Sequence, residues 1–176
     1  QEYDYVLRLT NTGTNPVNQV RVIDGLPVSG DTGVILDQSR GTDWTNRPTL
    51  NSAVVPVSRD GMTSTIGYSN DLDACTASLT SADASGCSWS DSWSSSTGSF
   101  QVRLQFAEGK LLAPGDSVDV KLDMDTPYNV GDQDDLPIAW NSIAQNVWAV
   151  QPNGKVNELR PSEPNKVGVG MLHSSL

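Results

Sequence analysis

Residues 3–10, YDYVLRLT, and residues 17–24, VNQVRVID, each alternate apolar and polar side chains, and Asn11-Thr12-Gly13-Thr14-Asn15-Pro16 stands between them. A period of two sends successive side chains to opposite faces of a pleated strand, so both segments read as half-buried β-strands. The turn residues join them as the opening of a β-meander, and Gly25-Leu26-Pro27 ends the second run. Working outward, strands are expected at 53–57, 63–69, 99–106 and 117–124. The apolar run 137–150, PIAWNSIAQNVWAV, reads as one long bulged strand, with final strands at 155–159 and 166–171. Residues 32–37 fit either a short strand or a single helical turn. No window carries a 3.6-residue amphipathic pattern, so helix content is expected to be low. Strands that recur about every ten to fifteen residues between Gly, Pro, Asn and Asp turns point to an antiparallel sandwich or barrel.

Composition narrows the function classes. The 176 residues fit one domain, 1–176, with 172–176 as a tail. Residue 1 already opens a strand alternation, which reads as a piece excised from something longer rather than as a signal peptide. No run reaches the apolar length of a membrane helix. A net charge of −10 argues against nucleic acid and anionic membrane as partners. Seventeen Asp face only four Glu (Glu2, Glu108, Glu158, Glu163), and Lys is scarce, as expected of a turn-rich β protein.

The stretch 70–98 breaks the strand rhythm. It is rich in Ser, Asp and Thr, and at that length it is either disordered or functional. Cys75 and Cys87 lie inside it. A buried or free thiol pair is the bland reading; the polar surroundings and the absence of zinc ligands nearby favour a disulfide, hence an oxidising compartment. Trp89 and Trp93 either stack on a sugar or fold back to seal the loop, and sealing is the favoured reading. Trp44, Trp140 and Trp148 are read as core or rim packing. Two acidic clusters, Asn70 with Asp71 and Asp73, and Asp132 with Asp134 and Asp135, carry a calcium alternative to the favoured reading of solvated turn aspartates.

Several pieces then fall in a familiar order. Tyr5-Val6-Leu7-Arg8-Leu9-Thr10-Asn11-Thr12-Gly13 and Val20-Arg21-Val22-Ile23-Asp24-Gly25-Leu26-Pro27 resemble the DUF11-like repeats of bacterial surface proteins. Gly30-Asp31-Thr32-Gly33-Val34, Arg40-Gly41-Thr42-Asp43-Trp44, Tyr68-Ser69, Cys75 with Gly86-Cys87, Leu112-Ala113-Pro114-Gly115-Asp116, Ala139-Trp140-Asn141-Ser142 and Glu163-Pro164-Asn165-Lys166-Val167-Gly168-Val169 resemble a longer form of that repeat in actinobacteria and related Gram-positives. The resemblance implies an all-β, Ig-like antiparallel sandwich with a disulfide-stapled loop insertion, in an extracellular, wall- or membrane-anchored adhesin. Many such modules close a Lys–Asn or Lys–Asp isopeptide bond from an early strand. Here the first strand has no Lys, and Lys121 with Asn141 or Asn165 is weaker than the reading of a solvated lysine.

Catalytic patterns are thin. Asp31-Thr32-Gly33 matches the aspartic-protease signature, but that chemistry needs a second copy, so a turn is the better reading. His173 stands in the tail, a poor place for a triad imidazole. The expectation is therefore no enzyme but a stalk or spacer module, in contact with neighbouring domains of the same protein. The alternative is a module that binds a host or cell-surface glycan or protein through the 70–98 loop.

Overall fold

The computed structural model describes residues 1–71, 73–81, 86–127 and 136–171. Eleven strands are described: β1 (Glu2–Thr10), β2 (Val17–Gly25), β3 (Thr49–Leu50), β4 (Val55–Pro56), β5 (Met62–Ser69), β6 (Ser99–Phe106), β7 (Ser117–Asp125), β8 (Ile138–Asn141), β9 (Ile143–Val150), β10 (Val156–Glu158) and β11 (Val167–Gly170). One 3-10 turn, Thr76–Leu79, is the helical element among the described residues.

Strand β7 is flanked by β1 on one side and by the short β3 and β4 on the other. The second sheet runs β10-β9-β2-β6-β5, and all its pairs are antiparallel. Leu7, Leu9, Val118, Val120, Leu122 and Met124 of the first sheet meet Val20, Val22, Phe100, Val102, Leu104 and Phe106 of the second. The protein is an all-β sandwich, and its core is the interdigitation of these two inward rows.

Three expectations are corrected. Strands β1 and β2 form no meander, because they belong to opposite sheets. The 11–16 turn bonds to the 112–116 loop instead: Asn11 N donates to Asp116 O, Asn11 Nδ2 to Leu112 O, and Val17 N to Leu112 O. Residues 137–150 are two strands broken at Ser142, with β8 paired to β11 and β9 to β2 and β10. Residues 32–37 are neither strand nor helical turn. They form a loop closed by a bridge between Thr32 and Ser39, and the amides of 34–36 bond a carboxylate.

Past the break, residues 156–171 run antiparallel along 150–137, through β10, a Gln145–Ser162 bridge and β11. Trp44 is wholly buried beneath this end with Ala139, Tyr3, Val169 and Met171, and its indole N–H donates to Pro137 O. Trp148 is buried in β9 and Trp140 half-buried in β8.

Candidate functional site

The excursion after β5 folds back over the outer face of the second sheet. Its ends are pinned first: Gly98 N donates to Ser69 O, and Tyr68 and Ser90 exchange both backbone bonds at 2.8 Å, so Ser90 adds to the β5 edge. Gly67 permits this approach, since a Cβ there would lie 2.6 Å from the Trp89 Cβ. Cys75 and Cys87 are joined as a disulfide with Cα atoms 5.7 Å apart.

The 3-10 turn then docks on side chains that period two sends outward from β2 and β9. Arg21 donates to Ser78 O and Thr80 O, both at 3.0 Å, while its guanidinium lies over Trp148. Asn146 Nδ2 donates to Leu79 O and Glu158 Oε1, and Glu158 accepts from the Ser81 amide and hydroxyl. Those hydroxyl and amide bonds hold the Glu158 carboxyl below its usual range against a smaller desolvation effect. Leu79 packs on Ile23 and Ala144, with Val34, Ala74 and Trp89 around them. Trp89 is half-buried and its Nε1 has no hydrogen-bond partner. Trp93 is 38 % exposed, so the two tryptophans part company.

At the foot of the excursion lies a second polar assembly. Asp24 follows Val20 and Val22 on the inward face of β2 and is fully buried. Burial raises its carboxyl to about 6, offset in part by Arg40 and by the Asn141 amide that donates to Asp24 Oδ2 at 2.9 Å. The Arg40 guanidinium is 4 % exposed and donates to Gly25 O, Asp31 Oδ2, Asn141 Oδ1 and Ser142 O. Asp31, read above as a turn residue, takes the Val28 amide and Arg40 on one oxygen. Glu163 accepts from the amides of Val34, Ile35 and Leu36 and from the Ser142 hydroxyl. Partial burial alone would raise the Glu163 carboxyl, but those donors together hold it below its usual range. Lys166 Nζ donates to Arg40 O and lies over Trp140. A cleft of about 530 Å³ opens between residues 25–34 and 73–76, lined by Asp31, Arg40, Arg47 and Asp73.

Of the sequence-derived candidates, the structure joins Cys75 to Cys87 and packs Trp89 with the 3-10 turn. Asp71 and Asp73 are exposed, and among the described residues no group of three or more His, Cys, Asp or Glu is placed to hold a metal ion. Asp132, Asp134, Asp135 and His173 lie outside the described residues. Lys121 is exposed on β7, whereas Asn141 is buried with its amide committed to Asp24. Sequence reading missed Asp24, Arg40, Asn141 and Glu163 as an assembly. The available signal was Asp24 at an inward position of an alternating strand.

No family model, curated protein or solved structure matches the chain. No helix among the described residues is long and apolar enough to cross a membrane.

Proposed function

We propose that the chain is a structural stalk or spacer module of an extracellular, cell-surface adhesin of the DUF11-like kind. One observation carries this reading: among the described residues of the 70–98 excursion, the 74–81 segment and Trp89 are docked on the sandwich. Arg21, Asn146 and Glu158 answer its backbone, Leu79 and Trp89 cover Ile23 and Ala144, and a disulfide closes it. A segment so engaged is not itself free to recognise a partner, and it thickens the sandwich and denies a protease an extended substrate. The disulfide accords with an oxidising, extracellular setting. Tyr3, Val169 and Met171 all pack on the buried Trp44 and Ala139.

Trp93 supports the second reading, a glycan- or protein-binding module. It is exposed beside Ser90, Asp91 and Ser92, where an indole could stack on a sugar ring. The double variant Trp89→Ala, Trp93→Ala separates the two. The spacer reading expects a lower melting temperature and no binding to a glycan array by the parent or the variant. A parent that binds glycans and a variant that melts alike but no longer binds would overturn it.

A further inference from the structure

Among the described residues, strand β1 is an open edge. Its one strand neighbour among the described residues is β7. Gln1 O accepts from Thr126 N and Asn11 N donates to Asp116 O, so the odd-numbered residues turn their backbone groups toward β7. The even-numbered residues Glu2, Asp4, Val6, Arg8 and Thr10 therefore direct their N–H and C=O groups away from the sheet. The remaining edges are blunted. Ser90 is bonded to β5 at Tyr68, the 156–171 edge carries Pro161 and Pro164, and β3 and β4 span two residues each. Strand β1 has nine residues and neither Pro nor Lys.

The side chains beside this edge are self-complementary. Reversed upon itself about Val6, β1 sets Val6 against the partner's Val6, Asp4 against the partner's Arg8, and Glu2 against the partner's Thr10. The geometry agrees with that register, because Val6 is among the residues whose backbone groups point outward. The two Val6 residues would thus exchange both backbone bonds across a twofold axis. A slide by one pleat repeat either way puts Val6 opposite the partner's Asp4 or the partner's Arg8. Charge favours the same pairing. Asp4 stands directly opposite Asp123, and Glu2 opposite Asp125, so four carboxylates crowd one corner of the exposed face. Arg8 is held by Asp119 of its own sheet through Nε and Nη2, which leaves the partner's Arg8 its Nη1 to turn toward that corner. Val6 is 49 % exposed and would be covered by its counterpart.

We propose that β1 pairs antiparallel with β1 of a second copy of this chain, which joins the two β7-centred sheets into one. The contact does not depend on whether the module is a spacer. One strand edge is a small interface, so the dimer is weak in solution and favoured where copies are concentrated.

Sedimentation over a concentration series tests it on the parent, Val6→Pro and Asp4→Arg. Val6→Pro removes an outward N–H and no bond to β7. Asp4→Arg sets like charges against the partner's Arg8 while relieving the clash with Asp123. Each is expected to weaken self-association roughly tenfold. Asp4→Arg should do so with an unchanged or higher melting temperature, which a merely destabilised chain would not show. A parent that remains monomeric up to about 1 mM overturns the proposal and leaves the edge to a strand of another protein. Self-association that survives both substitutions overturns it equally, since another surface must then be responsible.

Discussion

Replacing Arg40 by Ala should be among the most damaging single changes in this fold. The guanidinium donates at 2.7 Å to Gly25 O and 3.0 Å to Ser142 O, and at longer range to Asp31 and Asn141. It is also the nearby cation for the fully buried Asp24. Truncation removes the donor to Gly25 O and to the buried Ser142 O and takes the nearby cation from a buried carboxylate, a loss of about 3–5 kcal/mol when one partner of a buried ion pair is deleted. For a chain of this size that corresponds to about 10 °C of melting temperature. Arg40→Lys should recover only part of it, because one ammonium cannot reach acceptors that diverge around a planar fork. The assay is urea denaturation from pH 6 to 9, because losing Arg40 pushes the Asp24 carboxyl further up and protonation relieves part of the stranded charge at the lower end. A loss under about 1 kcal/mol for Arg40→Ala would refute the reasoning and mean that the assembly does not hold the Ser142 break.

Asp24 has a folded value near 6, above its ordinary 3.8, so the stability it contributes is present below the ordinary value and lost as pH climbs through 6. Between pH 3 and 7 the parent should therefore lose about 3 kcal/mol relative to Asp24→Asn, measured by denaturant midpoints. Glu163 has the opposite sign: its folded value is lowered, so its contribution is present above its ordinary value and lost as pH falls, and Glu163→Gln should flatten the acid limb. Trp89→Phe should cost less than Trp89→Ala in thermal melts, since Phe keeps a ring on Ile23 and Ala144 and removes an unpartnered buried N–H. Replacing Cys75 and Cys87 together by Ser opens a link between residues 12 apart and should lower stability by about 3 kcal/mol if the excursion unfolds with the sandwich.

Strand positions were largely legible because side-chain alternation is local: residues 3–10, 17–24, 99–106 and 117–124 lie almost wholly within β1, β2, β6 and β7. Partnership was not local. Strand β1 pairs with a segment more than a hundred positions away, which no turn between β1 and β2 reveals. The Ser142 break looked like a bulge in an apolar run, because the Arg40 that bonds Ser142 O lies 102 positions upstream. Residues 32–37 were ambiguous because the carboxylate that gathers their amides is Glu163, far along the chain. The disulfide was legible from two isolated cysteines in a polar stretch. The docking of that stretch depends on Arg21, Asn146 and Gly67, each ordinary in its own sequence context.

Amide hydrogen exchange in the oxidised protein probes the docked excursion most directly. Expected is protection of Ser81 and Ser90 well above that of a free peptide, lost on reduction together with the burial of Trp89. Exchange of these amides at free-peptide rates with the disulfide intact would contradict a docked structural element and leave the excursion as a mobile recognition loop.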